Sequence, residues 1–129
     1  MALGMSAAQA AGVLNSHLRG TAFPTNASVF AQLHLGDPGA NGTTLPAVET
    51  TRQQVTFGSA ATTGAIANTV AVTWTSVSTT ETYTHYSLWT LATGGTFLGS
   101  GTITGGAVTA GNNFSIPIGD FDLTQSTAA

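Results

Sequence analysis

The chain has 129 residues, no cysteine, two basic and five acidic side chains. That length supplies one core without disulfides or a structural metal, and the missing thiols exclude zinc–thiolate sites and cysteine nucleophiles. With a net charge of −3, no lysine, and Arg19 and Arg52 as its only basic residues, it cannot neutralise a row of phosphates, which excludes nucleic acid as a partner.

Charged residues make up 5% of the chain against roughly a quarter in ordinary soluble domains, so Thr, Ser, Asn, Gln and Gly must cover most of the surface. Threonine is β-branched and suits a pleated, half-exposed surface, while 16 glycines supply turns. Weak self-repulsion also favours a chain that sits among neighbours in an assembly. The first twenty residues lack a basic start and a continuous apolar run, so no signal peptide is expected. No stretch reaches membrane-spanning length, and no membrane partner is expected.

In chain order, Ser6 to Leu18 reads as the one good helix. Ser6 and Gln9 make an S-x-x-Q capping box, Gly20 supplies the stop, and Ala7, Ala11, Leu14 and Leu18 share a face. That narrow stripe must lie on something, either the chain's own sheet or a neighbouring subunit. After a linker over 21–26 containing Pro24, the period changes to two. Val29, Ala31, Leu33 and Leu35 alternate with Phe30, Gln32 and His34 as a strand, followed by a turn at Gly36–Gly39 and a polar loop to about Val48. Gln53 to Phe57 is a short strand, and Ile66 to Thr75 reads as one continuous strand. Thr82 to Leu91 is the next, with Tyr83, His85, Ser87 and Trp89 on one side and Tyr86 and Leu88 on the other. Thr93-Gly94-Gly95 turns the chain into a strand over Phe97–Ile103. Phe114, Ile116 and Ile118 mark a later strand, with Pro117 implying an edge or a strand end, and a polar tail follows Leu123.

About seven to eight short strands without a βαβ rhythm predict a mainly β fold, a single antiparallel, jelly-roll-like β-sandwich. The expected division is an N-terminal helix or arm over residues 1–20 and a β-sandwich over 21–129, one domain overall.

Candidate chemistry is sparse. His17, His34 and His85 have no H-x-H or H-x₃-H spacing, and a hydrogen-bonded strand residue is the expected role for the latter two. Asp120-x-Asp122 lacks the acidic density of a calcium loop and reads as a solvated turn. No phosphate-cradling glycine motif and no G-x-S-x-G elbow occurs. The expectation is therefore no enzyme, no metal and no cofactor. Where charges are this scarce, Arg52 with Glu49 or Asp37 is expected to pin the long loop after the first strand, the alternative being a contact to a neighbouring subunit. Trp74 continues an apolar face and belongs to the core. Tyr83, His85 and Trp89 form the best candidate for a wet, surface-binding face, which would suit a carbohydrate- or host-surface-binding module.

Six stretches taken in order carry a resemblance: Leu33–Gly39, Glu49–Gly58, Asn68–Trp74, Thr84–Trp89, Gly94–Gly101 and the closing strand Phe114–Leu123. Together they resemble a family of small proteins encoded in the structural gene clusters of tailed phages, especially those of actinobacteria. Those proteins are labelled minor tail, tail-fibre-like or head-decoration proteins. The resemblance implies a compact β-sandwich with a short N-terminal helix, made in the host cytoplasm and built into the virion in many copies. Its implied partners are other virion proteins, of the tail or the major capsid protein, with self-association as a homo-oligomer a further option. The resemblance carries no catalytic residues to this sequence.

Overall fold

A computed structural model describes residues 4–23 and 25–124. Pro24 of the expected linker and the end of the polar tail lie outside the described residues. Among the described residues one helix and eleven strands make a mainly β, sandwich-like fold in which every ladder is antiparallel.

The chain enters through β1 (Gly4–Met5), which pairs with Gly99 and Ser100 of a later strand, and Ser6 N–H donates to Leu98 O at 2.8 Å. The helix α1 spans Ala7–Arg19. Ser6 caps it by accepting a hydrogen bond from Gln9 N–H at 3.3 Å, and Gly20 closes it in the left-handed region at φ 67°. Gly12 lies under the Phe23 ring so closely that a Cβ would overlap it. No helical residue is buried. The inner side, which includes Gln9, Gly12, Val13 and Ser16, is only half-buried, whereas Ala7, Ala11, Leu14 and Leu18 are all exposed.

The alternating segment gives β2 (Val29–His34), an inner strand of a five-stranded sheet. Its neighbours are β3 (Gln53–Val55) on one side and β7 (His85–Trp89) on the other, then β8 (Phe97–Thr102) and β1 at the edge. Three two-stranded ladders complete the sandwich. In these, β4 (Ala65–Ala67) pairs with β11 (Asp122–Thr124), β5 (Val72–Trp74) with β10 (Phe114–Ile116), and β6 (Glu81–Thr82) with β9 (Ala107–Val108).

The core lies between the layers. Ala31, Leu33, Val55, Tyr86 and Leu88 from the large sheet meet Val72, Trp74, Phe114 and Ile116 from the small ladders and Phe121 from just before β11. Edge-on ring pairs fill it, Tyr83 on Phe114 at 4.9 Å and Tyr86 on Phe121 at 4.7 Å. Trp74 is core as expected, and its indole N–H donates to Thr51 O at 2.7 Å. Pro117 stands just past the end of β10, where its missing N–H interrupts no ladder.

Two expected strands are broken. Ile66 to Thr75 divides into β4 and β5 because its two ends pair with different partners, β11 and β10. Asn68 makes the corner. Its buried amide donates to Val70 O at 2.9 Å and Pro117 O at 3.2 Å, and its carbonyl oxygen accepts from Gly119 N–H at 2.9 Å and Phe121 N–H at 3.1 Å. The side chain thereby uses both amide hydrogens and both carbonyl lone pairs. The second break separates β6 from β7 at Tyr83 and Thr84. There Tyr83 N–H turns to Gly106 O while Thr84 N–H turns to His34 O.

Replacing Asn68 by Ala leaves the buried Phe121 N–H without its acceptor, while Gly119 N–H keeps the residue-68 backbone oxygen at 3.2 Å. The expected cost is about 2–4 kcal/mol in urea unfolding. A loss under about 0.5 kcal/mol would show that the backbone alone holds the corner.

Candidate functional site

The large sheet has a second face, turned away from the core. Strand register sets its side chains in rows: Phe30 opposite Trp89, Gln32 opposite Ser87, and His34 opposite His85. The next strand adds Phe97 opposite Trp89, past a bulge at Leu88/Trp89, and Ser100 opposite Ser87. Such a row of His, Ser and Gln would ordinarily face water. Here the loop over 36–48 folds back across it, and His34, Ser87 and Ser100 are buried.

The loop is fastened by its own backbone. Leu35 N–H donates to Leu45 O at 2.9 Å, Ala47 N–H to Leu33 O at 3.1 Å, and Thr44 N–H to Pro38 O at 2.9 Å. Gly42 lies against the Phe97 ring, where a Cβ would have no room, and its φ of 74° also requires glycine. Leu45 is held at φ 49°, a left-handed conformation costing about 1–2 kcal/mol that these bonds must offset.

Beneath the loop runs a hydrogen-bond relay. His34 Nδ1 lies 2.9 Å from Thr44 O, and His34 Nε2 lies 2.7 Å from Ser87 Oγ. A carbonyl only accepts, so Nδ1 carries the proton and Nε2 accepts from the Ser87 hydroxyl. Ser87 Oγ in turn accepts from Trp89 Nε1–H at 2.7 Å. Every polar atom in this relay has a partner. Desolvation lowers the His34 pKa below its ordinary value, so the ring is neutral.

Arg52 closes the rim. Its guanidinium carbon sits 4.2 Å from the Trp89 ring centre, which itself packs on Phe97 at 5.5 Å. Nε donates to Gln32 Oε1 at 3.0 Å, and Nη1 donates to Leu91 O at 2.9 Å and Gly94 O at 2.6 Å. The arginine thus secures the turn between β7 and β8. This differs from the expected pinning of the 36–48 loop by Arg52 with Glu49 or Asp37. The turn carbonyls point at the guanidinium fork, whereas Glu49 accepts from Thr51 N–H at 3.2 Å and Asp37 accepts from Gly39 N–H at 2.9 Å.

The expected wet face of Tyr83, His85 and Trp89 is also corrected. Tyr83 is 1% exposed and Trp89 8% exposed, and the two lie in different environments. The break before β7 rotates Tyr83 into the core against Phe114, while the 36–48 loop and Arg52 cover the face that holds Trp89. His85 is half-buried, with its Nδ1 2.8 Å from Thr84 Oγ1. No aromatic stacking platform is open at these three residues.

The relay brings a serine hydroxyl to a histidine, the pairing of an activated nucleophile. Its geometry serves cohesion instead. Ser87 is fully buried, its oxygen is occupied by the Trp89 indole, and a backbone carbonyl, not a carboxylate, orients the imidazole. Sequence reading singled out Trp89 and His34 but missed that Ser87 joins them. The available signal was the parity shared by Gln32 and His34 with His85 and Ser87 on adjacent strands.

The acidic residues do not converge on this layer. Glu81 accepts from Val48 N–H at 2.9 Å. Burial, with the charges of Glu81 and Glu49, pushes the Tyr83 phenol up to about 12. Asp120 and Asp122 are exposed and line a solvent-open cleft with Tyr86 and Thr102. Among the described residues no group of three or more His, Asp or Glu could hold a metal, and no helix is long and apolar enough to cross a membrane.

Comparison with known proteins places the geometry in context. The family described as Podophage GP4 fiber I protein gp80 matches residues 4–124, and the chain belongs to that family. The match runs from the first residue of β1 to the last of β11. The family identifies a structural component of a phage virion. No curated protein matches the sequence.

The relay makes stability depend on pH. The folded-state pKa of His34 lies below its unfolded value, so the stabilisation is complete above about pH 6.5 and is lost as pH falls towards the folded value. Urea midpoints should therefore drop between about pH 7.5 and pH 5 in the parent chain, and drop less in His34→Gln. Equal slopes in the two proteins would locate the titration elsewhere.

Proposed function

We propose that this chain is a non-enzymatic structural element of a phage tail fibre, exposed on the particle and held there by other virion proteins. The observation that carries this reading is the family match, which takes in the helix and every described strand and so covers the whole architecture, not one motif within it. The word fibre in the family's description favours the tail over the capsid surface.

The physical features agree with such a role. The chain presents few charges, and its best-formed polar cluster is sealed beneath a loop, where it serves cohesion and not substrate. Exposed Leu35, Leu45, Val48, Val70 and Ile118 stand on the loops and strand ends, the parts of a sandwich that reach neighbours. Val70 lies two residues before β5 and Ile118 two residues after β10.

Antibody–gold labelling of intact particles tests the reading directly. Gold confined to the tail is the expected outcome. Gold distributed over the head would replace the fibre with a capsid decoration protein, and unlabelled particles containing the protein would refute an exposed position.

A further inference from the structure

The geometry points to a site for a calcium-type cation between the carboxylates of Glu49 and Glu81 and the hydroxyl of Tyr83. The inference goes beyond the virion role proposed above and does not depend on it.

The segment that follows the 36–48 loop runs beside the start of β6. Glu81 Oε1 accepts from Val48 N–H at 2.9 Å, and Glu49 Oε1 accepts from Thr51 N–H at 3.2 Å. Each carboxylate thus gives one oxygen to the backbone. The other oxygen of Glu81, Oε2, is buried and has no hydrogen-bond partner, and the buried Tyr83 hydroxyl has none either. Tyr83 is anchored from behind, with its N–H on Gly106 O at 2.9 Å and its ring edge-on to Phe114. Its hydroxyl lies within reach of the charges of both Glu81 and Glu49, and no aligned hydrogen bond closes between it and Glu81. The phenol stays protonated at neutral pH, so it offers a neutral oxygen.

A buried carboxylate oxygen without a donor keeps its desolvation cost uncompensated, and two like charges beside one phenol add repulsion. Neither basic side chain of the protein relieves them. Arg52 is engaged by Gln32, Leu91 and Gly94, and Arg19 by Asn15 on its own helix. The counter-charge has to come from outside the chain, and the atoms that would receive it are all oxygens. Oxygen donors suit a hard cation better than zinc, which favours nitrogen and sulfur. Calcium accepts irregular geometry and completes its shell with water, whereas magnesium demands a near-ideal octahedron. With so few protein oxygens the affinity is weak, with Kd about 10⁻⁴–10⁻³ M. A bound cation would clamp the start of the 48–51 segment to β6.

Terbium takes calcium's oxygen ligands and emits when a nearby tyrosine or tryptophan is excited, so it reads the site in the full chain. Saturable emission that calcium displaces is the expected result. Glu81→Gln keeps the oxygen that accepts from Val48 N–H, and Tyr83→Phe keeps the ring on Phe114, so both should retain the parent's circular dichroism. Glu81→Gln should weaken terbium binding at least roughly tenfold, and Glu49→Gln gives a second reading from the rim. Saturating calcium should raise the urea midpoint of the parent and raise those of Glu81→Gln and Tyr83→Phe much less. Emission no stronger than that of free terbium, or emission unchanged in both glutamine variants, would overturn the site. An equal calcium response in Tyr83→Phe and the parent would do the same. The exposed pair Asp120 and Asp122 provides the control. The Asp120→Asn, Asp122→Asn double variant should bind terbium as the parent does, and loss of binding there would place the cation in the other cleft and refute the inference.

Discussion

The hydroxyl of Ser87 sits between two rings, giving its hydrogen to His34 and receiving one from Trp89, and the upper face of the large sheet is arranged around it. Ser87 stands on the central strand β7, His34 on its neighbour β2, and the histidine's other nitrogen reaches the 36–48 loop. Satisfying these groups away from water is what allows the loop to lie flat over a polar row. Each bond adds only about 1 kcal/mol net, but leaving one of these groups unpaired costs about 1–3 kcal/mol. The loop therefore closes over a complete network or does not close well. Arg52 extends the same logic to the rim, where its Nη1 donates to two turn carbonyls and its cationic face meets the Trp89 indole.

Much of the fold was legible in the sequence. Ser6, Gln9 and Gly20 mark a helix within one residue of its observed ends, because capping is a local interaction between near neighbours. The Val29–His34 strand, the Gly94-Gly95 turn and the strand end at Pro117 are local in the same sense. What alternation could not reveal was where a strand changes partner. Asn68 fits the apolar face by parity, and nothing near it in sequence announces that its amide will grip residues 117–121. Tyr83 likewise shares the parity of Trp89 and lost it when the ladder broke at Thr84.

The candidate site was less legible for a different reason. Parity states which side chains share a face but not whether a loop will cover that face, and the 36–48 loop covers the face of Trp89. Scarcity of charge points Arg52 to the nearest carboxylates. In the fold it found carbonyl oxygens from a turn some forty residues away. Where charges are few, a lone guanidinium goes to the nearest cluster of unused acceptors, and those are the backbone oxygens of a tight turn.

The partner exchange at Asn68 also governs when the chain can fold. The ladders β4–β11 and β5–β10, and the four bonds made by the Asn68 amide, all join the middle of the chain to its last described strands, and β1 at the start pairs with β8 near residue 100. Few of the pairings are local, so the loop-closure entropy must be met before the contacts that compensate for it can form. The ladders β4–β11 and β5–β10 therefore cannot form until residues 114–124 have been made. Until then β4 and β5 lack their partner strands. A low-aggregation vocabulary of threonine and glycine, in place of long apolar runs, is the kind of sequence that can wait.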